Sequence, residues 1–481
     1  MERNIFYVEG KTKPLDRNVK DVDPNQLCHG RYGTGEIVSV FGPKQLVRDI
    51  LHVQAESSQT LSRINSDLVP QQYADEISNA VDNVDYDRVK ELEAEYRHDI
   101  IAINKALQEQ VSDEAGSVIH LARTSADPTE SATAIQYQKG LEIICGSLEN
   151  LRDIVLETSL NWKNIPHMDQ THNYDALPTV AGRPFSFYAE MLQSDLEFLE
   201  FVYSHSIRGK WGDATGNHHS ATDLGLDGVE LQKAYCERLK IGYMDAPAQI
   251  VGREFKMDVL YTLARIGTTV DNLAHYIRWG KSHDVNLFYN MGKKGKGSST
   301  MPHKDAVGGN PIAEEQAGAS RGIAVGALNA AITTAVFSYA RDLTASASNR
   351  IIFEDAFKMS DHLIRRISQV VYSLGIDTNR AEERFERTYG VTTAQRVMNA
   401  LVSCDDPMPR SEAHDLCGEL ATKAFDEEQP FLGYLLAEPE VKKRLSDQKI
   451  MDLTETKNFI GQSKEIIKTV YDEYHGKKTL V

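Results

Sequence analysis

Apolar residues in this chain recur with the rhythm of a helix far more often than with that of a strand. Within 136–159, Leu141, Ile144, Leu148, Leu151 and Val155 follow at alternating steps of three and four, lining one face of an amphipathic helix. A longer run over 251–280 carries Val259, Leu263, Ile266, Val270, Leu273 and Ile277 in the same rhythm. A third segment, Ala317 to Ala340, is rich in Ala and Gly with Ile323, Val325, Leu328, Ile332 and Val336, and its small side chains let helices approach closely, as in a bundle core. Alternating period-two runs are nearly absent. The pattern predicts a mainly α protein with long bundle helices through its middle.

Punctuation falls where turn residues collect. Thr124-Ser125-Ala126-Asp127-Pro128-Thr129 precedes the first long helix, with Asp127 or Thr129 able to cap it. The pattern stops again at Gly375-Ile376-Asp377-Thr378-Asn379, and shorter helical pieces follow. A chain of 481 residues exceeds one compact core. The breaks divide it into an N-terminal helical domain (1–124), a central long-helix bundle (125–376) with a mobile loop at 292–311, and a C-terminal helical domain (377–481). The terminal Gly476-Lys477-Lys478 is expected to fray.

Charge and cysteine usage narrow the function classes. A formal net charge of −17 disfavours sequence-independent nucleic-acid binding, which needs a broad basic surface. No run approaches the roughly 18 apolar residues of a membrane span. The opening Met1-Glu2-Arg3-Asn4-Ile5-Phe6 lacks the features of a secretory signal, so a cytoplasmic location is expected. Cys28, Cys145, Cys236, Cys404 and Cys417 are scattered, which argues for reduced thiols and against a disulfide framework or zinc site. His218 and His219 are adjacent, a poor geometry for one ion, and H-E-x-x-H is missing, so a metal site is disfavoured.

The densest chemistry lies at 292–304, where three glycines, four lysines and the hydroxyls of Ser298, Ser299 and Thr300 share thirteen residues. A mobile, positive, hydroxyl-bearing loop in an acidic protein suits capture of an anionic small molecule. Ser298 has neither a G-x-S-x-G nor a P-loop setting. A hydroxyl there can serve instead as a base, its pKa lowered by backbone N–H donors and by a lysine such as Lys304. His172 lies in an irregular polar stretch (170–179) between helical segments, a setting suited to proton transfer. His120 precedes the Thr124-Ser125 pair. Arg31-Tyr32, and Arg341 with Arg350 flanking Thr344, Ser346 and Ser348, offer bidentate ligands for phosphate or carboxylate.

Taken together, these segments resemble the fumarase/aspartase superfamily, and within it the adenylosuccinate lyases. Gly297-Ser298-Ser299-Thr300-Met301-Pro302-His303-Lys304 matches the superfamily's G-S-S-x-M-P-x-K, and 171–182 follows the frame of T-H-x-Q-x-A-x-P-[ST]-T-x-G. The first conserved region of the family resembles 120–127, and Arg31-Tyr32-Gly33-Thr34-Gly35-Glu36 is similar to the opening R-Y-x-x-x-E. Arg341, Leu343, Ser346 and Arg350 fit R-x-L-x-x-S-x-x-x-R, while Gln249 and Arg253 resemble the start of the longest bundle helix. The likeness runs from about residue 30 to about 375.

The resemblance implies three mainly helical domains and a homotetramer. Its core would be a bundle of twenty helices, five per subunit, with each active site built from three subunits. It implies β-elimination of fumarate from an N-succinyl nucleotide, most simply adenylosuccinate to AMP (and SAICAR to AICAR) in purine biosynthesis, without metal or organic cofactor. By the same carry-over Ser298 removes the Cβ proton, Lys304 stabilises the developing dianion, His172 protonates the departing nitrogen and His120 positions it. Thr124 and Ser125 would bind succinyl carboxylate or phosphate, while Arg31, Tyr32, Arg341, Ser346 and Arg350 would hold nucleotide phosphate and ribose. Asp127, Thr171, Asn217, Gln249, Arg253, Ser299, Met301 and Asn310 complete the expected binding set. Three features depart from the family pattern. Asp305-Ala306-Val307-Gly308-Gly309 separates Lys304 from Asn310-Pro311, a four-residue insertion; Tyr174 replaces a glutamine; Ala122 replaces a glycine. Alternatives are another superfamily reaction, on an aminopolycarboxylate or as a carboxymuconate cycloisomerase, and a non-catalytic paralogue.

Overall fold

Five long helices carry the middle of the chain: Ala126–Asn161, Arg183–Ser206, Arg253–Lys281, Ile312–Thr333 and Ser346–Tyr372. The computed structural model describes residues 3–16, 32–291, 300–306 and 309–479. Leu141, Ile144, Leu148, Leu151 and Val155 are fully buried, as are Val259, Leu263, Val270, Leu273 and Ile277, so the helical stripes do face the core. Ala126–Asn161 packs on Arg183–Ser206 and Ser346–Tyr372, while Arg253–Lys281 packs on Arg183–Ser206, Ile312–Thr333 and Ser346–Tyr372. Stacked rings knit the seam: Phe41 on Phe357 at 4.7 Å and Tyr137 on Phe353 at 4.3 Å between centroids. The protein is mainly α.

The Ala-rich segment packs through its small residues, as its composition suggests. Ala317, Ala324, Ala327 and Ala331 are buried, whereas Ile323, Val325, Ile332 and Val336 are exposed. Small residues face inward because this helix and Arg253–Lys281 run nearly backbone to backbone: a Cβ placed on Gly267 would sit 3.3 Å from the Cα of Arg321. The helix also stops at Thr333 rather than Ala340. Beyond it Arg253 takes the Thr334 carbonyl and Asp342 takes the Ser338 amide, so groups that would continue the helix are satisfied elsewhere.

Strands exist where the periodicity showed none. Pro166–Thr171 and Tyr174–Val180 form an antiparallel hairpin at the segment read as irregular. His172 and Asn173 make its two-residue turn with φ of +54° and +65°, the signature of a type I′ turn. A register shift between Met168 and Gln170 breaks the alternation that would have exposed the strand in the sequence. Elsewhere Ile5–Phe6, Leu374–Asp377 and Phe288–Asn290 form a small three-stranded sheet in that order.

One apolar core runs from Ile37 to Ala381 and includes Val470; a second is confined to Val397–Leu453 side chains. The C-terminal segment is pinned, not frayed. The Thr479 amide donates to Glu149 Oε1 at 2.6 Å, and Lys477 O accepts from the buried Arg152 guanidinium at 2.6 Å. Polar groups on the first bundle helix, spaced along one face, hold it down. No described helix is long and apolar enough to cross a membrane.

Gly182 closes the hairpin onto the bundle. A Cβ there would lie 2.0 Å from the backbone oxygen of Ser159, which cannot yield. Gly182→Ala is expected to cost about 2–3 kcal/mol in denaturant unfolding. Gly418→Ala, on an exposed helix face with open space around it, is expected to leave the midpoint unchanged or raised.

Candidate active site

The turn before the first bundle helix is built from unusual backbone and buried charge. His120 and Ala122 have φ of +66° and +54°. A glycine adopts that region freely; alanine holds it at a cost of roughly 1 kcal/mol. Asp127 fixes the turn by reaching back to the Thr124 amide at 2.7 Å while its own amide donates to Thr124 O at 2.9 Å. Its other oxygen accepts from the Gly212 amide at 2.9 Å and from the buried Lys210 ammonium. Both oxygens of Asp127 have protein donors, so this carboxylate holds the site's frame.

Behind the turn, Arg123 lies 4.8 Å from both the Trp211 and Tyr235 rings. It donates to Tyr235 Oη at 2.7 Å and to Gln54 Oε1 at 3.2 Å. A guanidinium only donates, so Gln54 must turn its oxygen to Arg123 and its NH2 to Asn104 Oδ1 (2.8 Å) and His120 Nδ1 (2.9 Å). His120 Nδ1 is thereby an acceptor, and the ring's proton sits on Nε2. Burial, then the nearby Arg123 and His98, push its pKa down to about 3. His120 is a neutral hydrogen-bond donor at ordinary pH.

His98 was missed by sequence reading. It begins the helix Asp99–Gln108, its Nδ1 taking the Ile101 amide at 3.5 Å and its Nε2 lying 3.4 Å from Ser125 Oγ. Asp99 in turn pairs with Arg350 at 2.9 Å, across 251 positions of sequence. His120, Thr124, Ser125, His98 and Arg350 thus gather at one end of the bundle, where Ser346 begins its helix. The only signal in the sequence was a histidine before an acidic helix start, and that is common to helix caps.

A neighbouring group lies at the same end. Gln249 bridges Arg341 (2.9 Å) and the Ala214 carbonyl (2.9 Å), beside the turn in which Asn217 bonds Thr215 Oγ1 at 3.1 Å. Arg253 is turned inward: it meets Asp342 Oδ1 at 3.0 Å, takes the Thr334 carbonyl and lies 4.5 Å over Phe337. Backbone amides of Ser338 and Thr344, with Arg253, hold the Asp342 carboxyl well below its usual range. Arg253 therefore braces the loop that presents Arg341.

The remaining residues lie elsewhere. Thr171 and His172 are exposed at the hairpin, which follows the far end of Ala126–Asn161. That helix has 36 residues, so it is about 54 Å long and separates His172 from Ser125. Lys304 lies on the short helix His303–Ala306, near the exposed Met301. Its Nζ donates to Asn310 Oδ1 at 3.1 Å, and the Gly309 amide, at φ +79°, closes on Lys304 O at 2.8 Å. This closure places Asn310 beside Lys304. Buried Glu314 pairs with Lys281, joining the stems that flank the loop, while Glu315 stays exposed. Tyr32 sits edge-on to His362 at 5.5 Å, twelve residues and about 18 Å along the helix from Arg350. Its neighbour Glu36 pairs with Arg365, and Thr34 donates to the buried Asp361. Arg31, Ser298 and Ser299 lie outside the described residues.

A family model described as Lyase matches residues 44–325, and one described as Adenylosuccinate lyase C-terminus matches 390–470. Adenylosuccinate lyase from Pyrococcus horikoshii is 29% identical over 446 residues, 92% of this chain and 96% of that one. The enzyme of the same name from Bacillus subtilis is 28% identical over 371 residues, 76% and 83% of the two chains. Among solved structures, 3-carboxy-cis,cis-muconate lactonizing enzyme from Pseudomonas putida superposes with a TM-score of 0.81 at 19% identity, covering 94% of this chain and 99% of that one. Fumarate lyase from Mesorhizobium sp. BNC1 gives 0.80 at 18%, covering 92% and 98%. These two share the fold.

The neutral ring of His120 makes a pH prediction. The unfolded chain binds a proton on this side chain near its ordinary 6.5, the folded chain only near about 3, so stability is lost as pH falls through that window. One such ring contributes up to roughly 1.4 kcal/mol per pH unit. His120→Gln is expected to flatten the decline between pH 6 and 4 by about that slope, read from urea midpoints across pH.

Proposed function

This chain belongs to the fumarase/aspartase superfamily of lyases, and from that premise we propose that it is a carbon–nitrogen lyase acting on an N-succinyl nucleotide, releasing fumarate, most simply from adenylosuccinate to leave AMP. The curated relatives of matching length carry that activity in their names, and one matched family model is specific to the C-terminal part of such enzymes. Purine biosynthesis and a cytoplasmic location are part of the same reading, as is the division into domains near 124 and 376.

In this reading Ser298 removes a proton from the succinyl Cβ, leaving a carbanion conjugated with the adjacent carboxylate. Lys304, held beside Asn310, stabilises the negative charge that develops there. The carbanion's electron pair forms the new double bond as the C–N bond breaks, and His172 gives a proton to the departing nitrogen. Neutral His120 donates without competing as an acid. Ser125, Thr124 and the nearby His98 bind the succinyl carboxylate or the phosphate, with Arg31, Tyr32, Arg341, Ser346 and Arg350 around the nucleotide.

One observation supports the shared-site reading: among the described residues a helix about 54 Å long separates His172 from Ser125 and His120. In this reading each site therefore combines residues of more than one chain. Exposed Val325 and Ile332 share one side of the helix Ile312–Thr333 and supply apolar surface for such an assembly, for which we propose a homotetramer.

Purified protein given adenylosuccinate is expected to release fumarate, followed by absorbance, with AMP raising the melting temperature. Turnover of a carboxymuconate without any response to AMP would transfer the assignment to a cycloisomerase. Ser298→Ala is expected to lower kcat at least about a hundredfold while the helical spectrum is unchanged. Co-expressed Ser298→Ala and His172→Gln chains, each inactive alone, are expected to recover part of the activity in mixed oligomers. Mixed oligomers without activity would rule out a site shared in this way.

A further inference from the structure

The turn that carries His172 is gripped from outside the bundle. Arg384, on the helix Thr378–Glu386, forms a nearly buried ion pair with Asp175, the second residue of the returning strand. Its guanidinium lies 5.2 Å over Trp279 in the last turn of Arg253–Lys281. Asp175 also accepts from Gln170 Nε2 at 2.9 Å, directly across the strand pair. Farther down, Thr179 Oγ1 meets Ser463 Oγ at 3.0 Å. Behind the ion pair His167 is buried, its Nε2 3.5 Å from Tyr276 Oη and its Nδ1 without a hydrogen-bond partner among the described residues. Burial and the neighbouring Arg384 push the His167 pKa down to about 3, so no second positive charge competes for Asp175.

Beyond Asp175 only one strand pair, Thr171 with Tyr174, precedes the turn, and the residues from Thr171 to Tyr174 are exposed, Tyr174 by 80%. Asp175 is therefore the last firm handle before His172. A guanidinium is a planar fork with fixed donor directions, and set between an indole and a carboxylate it defines the position of that handle closely.

We propose that the chain after residue 376 holds the hairpin, with Arg384 and Asp175 as a positioning pair that sets where His172 stands relative to the bond it protonates. This rests on the reading of His172 as the proton donor above. Neither residue touches substrate. An acid misplaced by about 1 Å loses rate on the order of a hundredfold, while substrate affinity, set by other residues, is preserved.

Full-length Arg384→Gln, Asp175→Asn, their double variant and Arg384→Lys test this against wild type, by fumarate release, melting temperature and amide hydrogen exchange over 166–180. In Arg384→Gln kcat is expected to fall about 10- to 100-fold with KM within about threefold. Hairpin amides should exchange faster while those of Ala126–Asn161 keep their protection, and Arg384→Lys should fall between wild type and Arg384→Gln. Each single change leaves one buried charge unpaired and the double leaves none, so the double variant should regain melting temperature without regaining kcat. A double variant with wild-type kcat, or Arg384→Gln with unchanged hairpin exchange, overturns the proposal. Wild-type protein without turnover would instead defeat the functional reading, and hydrogen exchange would still decide whether Arg384 holds the hairpin.

Discussion

A packed helix neither bends to bring its ends together nor shortens, and much of the candidate chemistry among the described residues of this protein hangs from one end or the other of such rods. Ala126–Asn161 begins just after Ser125 and ends just before the hairpin of His172. Side chains such as Leu148, Leu151 and Val155, fully buried, fix it against neighbouring helices. The cost of that rigidity is that residues close in sequence are kept apart; the benefit is that each half-site is presented on a scaffold that barely moves.

At the Ser125 end, order comes from hydrogen-bond bookkeeping. Arg123 has no acceptor capacity, so it dictates the orientation of Gln54, and Gln54 dictates which nitrogen of His120 carries the proton. Asp127 performs a similar office with Lys210 and two backbone amides. These groups are buried and costly to leave unpaired, so the turn at 120–127 has one arrangement. Ala122 is accepted in a backbone region suited to glycine because this network over-determines it.

The other end is built from extended chain and short turns. There the hairpin leans on residues that arrive more than two hundred positions later, through Arg384. At 304–310 the Gly309 amide closes on Lys304 O and Lys304 donates to Asn310, so these two residues meet.

Periodicity in the sequence determined the bundle, because burying a helical stripe requires apolar residues at steps of three and four wherever the partner helix lies. In the Ala-rich segment the small residues mark the close approach, with Ala317, Ala324, Ala327 and Ala331 facing inward, while Ile323, Val325, Ile332 and Val336 are exposed: a sequence shows which residues are apolar, not which side another backbone approaches. The hairpin was illegible because its turn uses Asn without glycine and a register shift breaks the alternation. Candidate chemistry was legible as residue types in particular segments, since histidines, hydroxyls and arginines in glycine-bearing loops announce themselves. Their meetings were not. That His98 stands by Ser125, that Asp99 takes Arg350, and that Arg253 turns inward while Arg341 does not, depend on contacts between distant segments. Those contacts are set by the packing of whole helices, which no local pattern encodes.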